Sequence, residues 1–236
     1  TDYIDIYQFH WPNRGSYHFR QNWGFDPSKQ PSRAEILDEM TGVMEVLKAL
    51  VDEGKIRAFG LSNDSAWGTM NWLAAAEAVG GPRVATMQNE YSLLCRLYDT
   101  DMAELAHHED ITLLALSPLA AGFLTGKYRP GEPFPAGSRA GDERQNHFIK
   151  DKVNDLEVLT LVQNLWELAE DAGASLSQLA LAWILQKQGI TSCITGASRP
   201  EQIVDNCKAS GLALDAAQIK RIDEIVSPVV YSHPAH

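Results

Sequence analysis

The chain is poor in positive charge: 20 Lys and Arg stand against 31 Asp and Glu in 236 residues, a net charge of −11. A face that grips nucleic acid needs a basic patch, so this balance argues against nucleic acid as a partner. A local group of arginines remains compatible with one small phosphorylated ligand. Cysteine is also scarce. Cys95, Cys193 and Cys207 are odd in number, unrelated in spacing and lack any C-x-x-C. They read as reduced thiols of a cytoplasmic protein, not as a disulfide framework or a zinc site. No apolar run approaches the ~20 residues of a membrane span, and no signal peptide is recognisable, so no membrane partner is expected. Glycine never falls in the G-x-G-x-x-G spacing, so an open dinucleotide-binding sheet would lack its usual mark.

What the chain does contain is an alternation. Its length suits one large α/β domain or two small ones, and 44% hydrophobic with 22% charged residues is an ordinary soluble, globular balance. Stretches 3–9, 56–61, 83–88, 111–116 and 191–195 are short, apolar and bounded by Gly, Pro or charge, as strands are. Between them lie helical patterns. Ile36, Met40, Val43, Met44, Leu47 and Leu50 share one face of a helix ending at Gly54, and a second runs from Ser65 to Gly80–Gly81. Two more cover 153–173 and 175–189, the latter opened by Ser175-x-x-Gln178, a capping box.

Strands alternating with helices pair in parallel through right-handed crossovers, which leaves an open doubly wound sheet or a barrel. Without the dinucleotide fingerprint the barrel is favoured. Eight units normally take ~250 residues, yet five strands are visible, and the irregular stretches 11–32 and 120–150 do not hide the others. The expected fold is therefore α/β, a (β/α)8 TIM barrel of which this chain covers strands 4–8 with their helices. Residues 1–236 are read as the C-terminal portion of a single barrel domain. The absent initiator methionine fits either processing or a fragment.

Chemistry in a parallel barrel sits where strands end. Those positions hold His10, Ser62–Asn63, Gln88–Asn89, Ser117–Pro118 and Gly196 through Arg199. Each has a plain explanation: His10 as a hydrogen-bonded structural residue, Ser62 to Asp64 as a helix cap, Ser117–Pro118 as a turn. Together they supply donors and acceptors suited to a ligand with carboxamide, hydroxyl and phosphate groups. At 196–206, Ser198 is expected at the N-cap, Arg199 at the first helical position and Glu201 completing a capping box. The turn's N–H groups, the helix dipole and the Arg199 fork would then form an anion site, or simply a well-capped helix.

The motifs DYIDIYQFHWP, GKIRAFGLSN, QNEYSLL, SPLAAGFLTGKY and GASRPEQIVDN, in this order along the whole chain, resemble the aldo-keto reductases. The likeness is greatest to a Tas-like bacterial branch related to potassium-channel β subunits. The resemblance implies a barrel that binds NADPH and reduces aldehydes or ketones to alcohols. By position, it implies that His10 orients the carbonyl and that Ser62, Asn63 and Gln88 hold the nicotinamide carboxamide. Leu116 would lie against the nicotinamide ring, where many relatives have an aromatic residue, which implies weaker cofactor affinity unless a Trp substitutes. It further implies that Ser117 and Leu119 meet the pyrophosphate, that Gly196, Ser198 and Arg199 bind the 2′-phosphate, and that Gln202, Asp205 and Asn206 surround the adenine end. The family's catalytic Asp, Tyr and Lys have no counterpart here, so the chain alone is expected to lack turnover.

Hydride transfer to a carbonyl needs a positioned cofactor, a proton donor and help at the oxygen. The loop after His10 carries Trp11, Tyr17, Phe19, Trp23 and Phe25, so Trp11 is a candidate substrate contact for an apolar carbonyl compound, or the rings pack on one another. Tyr3 and Tyr7 are expected on the opposite face from His10, against the helices. Loop 129–148 reads as a flap over the cofactor or as a linker. Two other functions compete with reduction. One is an NADPH-sensing regulatory subunit with little turnover; the other is a metal-dependent hydrolase using His10, disfavoured because Pro12 stands where a second His would be. A homo-oligomer is compatible with the sequence.

Overall fold

All five stretches read as strands are strands in the computed structural model: β1 (Ile4–Gln8), β2 (Ile56–Ser62), β3 (Val84–Gln88), β4 (Thr112–Leu116) and β5 (Ile190–Ile194). The structure describes residues 1–231 apart from 19–23, 145–148 and 150–154. Strands follow chain order in one sheet, β1-β2-β3-β4-β5, and the β1–β2, β2–β3 and β3–β4 pairings are parallel. The fold is thus α/β. Seven helices are described: α1 (Arg33–Asp52), α2 (Ala66–Val79), α3 (Met102–Glu109), α4 (Leu156–Asp171), α5 (Leu176–Leu185), α6 (Pro200–Cys207) and α7 (Ala216–Tyr231). The chain divides into two units, Thr1–Glu90 with Leu97–Leu114, and Tyr91–Arg96 with Ala115–His236.

In the first unit, α1 starts at Ser32, whose hydroxyl accepts from the Glu35 N–H while the Glu35 carboxylate accepts from the Ser32 N–H. Its Ile36, Met40, Met44 and Leu47 are buried, the stripe that the sequence spacing marks, while Val43 and Leu50 are half-buried at its margin. Helix α2 stops at Gly80, which takes the left-handed conformation (φ +64°) that lets its N–H reach back to the last carbonyls. Phe9, Phe59 and Trp72 pack ring against ring at 5.4–6.4 Å on the helix-facing side of β1 and β2. Tyr7 meets Phe9 edge-on and so shares that side, but it is 44% exposed; the Tyr3 ring lies under the Arg57 guanidinium. The other face of β1 carries Ile4 and Ile6, both exposed.

Pairing between β2 and β3 slips once. Phe59 stands opposite Val84, but Gly60 stands opposite Thr86 and Ser62 opposite Gln88, so Ala85 is an extra residue in β3. Gly60 is required at the slip, because a Cβ there would overlap the Thr86 hydroxyl.

In the second unit, α5 begins with the expected Ser175–Gln178 capping box. Seven of the ten residues of α5 are buried, including Trp183, whose ring stacks on Tyr91 at 5.6 Å. Arg96 lies over the same indole and pairs with Asp223 of α7 at 3.1 Å. Among the described residues no helix is long and apolar enough to cross a membrane.

Candidate functional site

Strand ends of the first unit converge on Asn63. This residue adopts a left-handed conformation (φ +57°), which Asn tolerates better than most side chains. Its backbone N–H donates to the Gln88 carbonyl at 3.1 Å, and its Nδ2 donates to the His10 carbonyl at 3.0 Å and to Ser62 Oγ at 3.1 Å. Ser62 Oγ in turn donates to the Gln88 carbonyl at 2.8 Å. Both Ser62 and Asn63 are 2% exposed, and Asn63 Oδ1 is buried without a hydrogen-bond partner among the described residues. The amide's donors are spent, and its acceptor is what remains for a ligand N–H. The His10 side chain is exposed, and its ring centre lies 5.3 Å from that of Trp11, which is itself 45% exposed. Gln88 is half-buried. The structure therefore groups five expected residues in one unit: His10, Trp11, Ser62, Asn63 and Gln88.

Beneath this group lies a network that the sequence did not reveal. The Arg14 guanidinium is ion-paired with the Asp64 carboxylate, both side chains 2% exposed. Asp64 also accepts from the Ser65 N–H at 2.7 Å, and its carbonyl accepts from Asn89 Nδ2 at 3.0 Å. Burial pushes the Asp64 carboxyl above its usual range, against the pull of Arg14. The capping reading of Ser62 to Asp64 is corrected: the N-cap of α2 is Ser65, whose Oγ accepts from the Gly68 N–H. His18 is 3% exposed, with Nε2 3.5 Å from Asn89 Nδ2, and burial lowers its pKa to about 4 despite the Asp101 charge. Tyr17 stacks on His18 and donates to Asp101 at 3.1 Å; burial and that carboxylate raise its phenol, making it a poor proton donor. Phe25 lies against Gly15, and Phe19 and Trp23 lie outside the described residues. The readable clue to this network was Gly68, a glycine in the first turn of a helix with a packing reason to be there.

In the second unit, Leu116 closes β4, Ser117 and Leu119 follow it, and all three are half-buried. Ser117, Ala120 and Ala121 are left-handed at φ +52°, +47° and +56°, each costing on the order of 1 kcal/mol for a residue with a Cβ. Carbonyls of this turn accept locally, Ser117 O from the Ala120 N–H at 2.8 Å and Leu119 O from the Gly122 N–H at 2.9 Å. After β5, Gly196, Ser198 and Arg199 are exposed. Here the expected capping is corrected. The N-cap of α6 is Arg199, not Ser198, with Pro200 at the first helical position and no side-chain cap. The reason is a competing acceptor: Ser198 donates through its N–H to Gln202 Oε1 at 2.7 Å, and its hydroxyl lies 3.3 Å from the same oxygen. Gln202 and Asn206 are half-buried. Asp205 is largely engaged, accepting from Ser175 Oγ at 3.0 Å and Gln178 Nε2 at 2.6 Å. Residues 129–144 of the expected flap are described; 145–148 are not.

The first group offers an exposed imidazole, an indole and a buried amide acceptor at adjoining strand ends; the second offers a strained turn and an exposed guanidinium at a helix start. Among the described residues no cluster of three or more His, Cys, Asp or Glu is placed to hold a metal ion.

Comparison with known proteins gives a consistent result. The model of the aldo/keto reductase family matches residues 1–227. Protein tas of Escherichia coli is 33% identical over 235 residues, covering all of this chain and 64% of that protein. The NADH-specific methylglyoxal reductase of Escherichia coli is 29% identical over 95% of this chain and 59% of its own length. A probable voltage-gated potassium channel subunit beta of Arabidopsis thaliana is 35% identical over 73% of this chain and 53% of its length. The chain thus spans between about half and two thirds of the length of these relatives.

Proposed function

The chain belongs to the aldo/keto reductase family, and from that premise we propose that it forms strands 4–8 of a (β/α)8 barrel domain whose protein reduces aldehydes or ketones with NADPH. The observation that carries this reading is Asn63: a buried amide oxygen without a partner, held by left-handed backbone at the end of a parallel strand. That acceptor fits a carboxamide N–H, so the residues present suit a nicotinamide. Bound there, NADPH would supply the hydride.

The chain's own residues would do the positioning. Asn63, Ser62 and Gln88 would fix the carboxamide and with it the ring face turned toward the substrate. Leu116 would pack on the ring, and Ser117 and Leu119 would meet the pyrophosphate. Arg199, with Gly196 and Ser198, would meet the 2′-phosphate, and Gln202, Asp205 and Asn206 the adenine end. His10 would donate a hydrogen bond to the carbonyl oxygen, and Trp11 would flank an apolar substrate. The general acid is not assigned to any residue of this chain. A second reading, a cofactor-binding regulatory subunit, draws support from the channel-subunit relative and shares every cofactor contact.

Titration of NADPH and NADH by fluorescence, in the protein and in Arg199→Ala, tests the reading. NADPH should bind at least tenfold tighter than NADH, and Arg199→Ala should remove most of that preference. Absence of saturable binding, or an unchanged ratio in the variant, would refute it. Oxidation of bound NADPH on adding aldehydes favours the reductase; binding with no oxidation favours the regulatory subunit.

A further inference from the structure

The loop after β1 is tied to the end of β2 at two points. His10 is held through its carbonyl by Asn63 Nδ2, and four residues later Arg14 is held through its guanidinium by Asp64, the next residue after Asn63. Residues 10–14 thus form a short span fastened at both ends to two consecutive residues. The second fastening is enclosed. Arg14 stands 5.1 Å over the Trp67 ring, its Nη2 lies 3.4 Å from Ser65 Oγ, and its carbonyl accepts from Gln30 Nε2 at 2.9 Å. Gly68 leaves room for the pair, since a Cβ there would overlap both Arg14 Nη2 and Asp64 Oδ1. On the far side Asn89, fully buried, donates to the Asp64 carbonyl and so ties β3 to the same point.

A buried ion pair contributes little net stability compared with apolar side chains of the same volume, whereas its geometry is demanding. A device of this kind suits precision. We propose that Arg14 and Asp64 are positioning residues for the nicotinamide end of the cofactor site: their pair clamps the 10–14 span to the end of β2 and so holds Asn63 in its left-handed conformation with Oδ1 directed at the ligand. This inference rests on the reading of Asn63 as the carboxamide contact. Neither residue touches the ligand in it; both act through Asn63.

Two probes separate positioning from simple stability. NADPH reaches both ends of the proposed site, while adenosine 2′,5′-bisphosphate carries the adenine and 2′-phosphate but no nicotinamide. The double variant Arg14→Met/Asp64→Leu removes the pair without stranding a buried charge. It should bind the bisphosphate within about twofold of the wild type but lose at least tenfold in NADPH affinity. An equal loss for both probes, or no loss for either, overturns the proposal. Should the double variant show no cooperative unfolding transition, Arg14→Lys keeps the charge while losing the planar fork, and the same selective loss is required of it. A wild-type protein that binds neither probe, or binds both equally, instead refutes the nicotinamide reading itself and the proposal with it.

Discussion

Replacing Gly68 by Ala should destabilise the protein, although the same change in an exposed stretch of helix stabilises it. Alanine exceeds glycine by about 1 kcal/mol in helix propensity. Gly42 in α1 is exposed with open space around it, so Gly42→Ala should realise that gain. At Gly68 the new methyl would occupy the volume of Arg14 Nη2 and Asp64 Oδ1. Those groups cannot swing into water, because both side chains are 2% exposed. The pair must separate, and breaking a buried pair costs about 3–5 kcal/mol. Subtracting the propensity gain leaves a net loss of about 2–4 kcal/mol. With a urea slope on the order of 2 kcal/mol per molar, the midpoint falls by about 1–2 M. Urea unfolding followed by circular dichroism measures both variants against the wild type. A Gly68→Ala protein as stable as the wild type would sink the reasoning, since it would show that the pair yields cheaply.

His18 should make the protein sensitive to mild acid. Its folded pKa of about 4 lies below the ordinary 6.5, so the unfolded chain binds the extra proton between those values. Its contribution is complete above pH 6.5 and is lost as the pH falls toward 4, up to about 3 kcal/mol; the difference in unfolding free energy between wild type and His18→Gln should shrink across that window, and a constant difference refutes the assignment. Among the thiols, Cys207 is exposed while burial pushes the Cys193 thiol up to about 12. A disulfide reagent at pH 8 should therefore lose a fast phase in Cys207→Ser and none in Cys193→Ser; the reverse result contradicts the burial of β5 at that residue.

Local signals were legible and long-range ones were not. Five strands stood out because each is a short apolar run with punctuated ends. The capping box at Ser175 was readable because it lies within four residues. Helix α7 carries a similar mark: Asp215 and Gln218 exchange backbone-to-side-chain bonds at 2.8 and 2.9 Å. Helix α3 offered none, since Asp101 makes no side-chain cap and only eight residues follow. At Ser198 the pattern misled, because a Gln four residues on competes for the same N–H. The Arg14–Asp64 pair joins residues fifty apart, and nothing in spacing or periodicity links them. The roles proposed for His10 and Asn63 come from the resemblance, whereas only the structure shows that one amide ties the two residues together.

The slip at Ala85 has a consequence for how this sheet can vary. Continued in its first register, the pairing of Phe59 with Val84 would bring Ser62 opposite Met87, a fully buried apolar side chain. One added residue instead delivers Gln88, and with it the carbonyl that receives both Ser62 and Asn63. Fold and site are thus governed by separate settings of the same two strands. Closing the slip with Ala85 kept in the ladder would leave a parallel, well-packed sheet in which Ser62 faces Met87 and the polar ends no longer meet, so in this region the register of pairing matters more for the site than most substitutions of side chains.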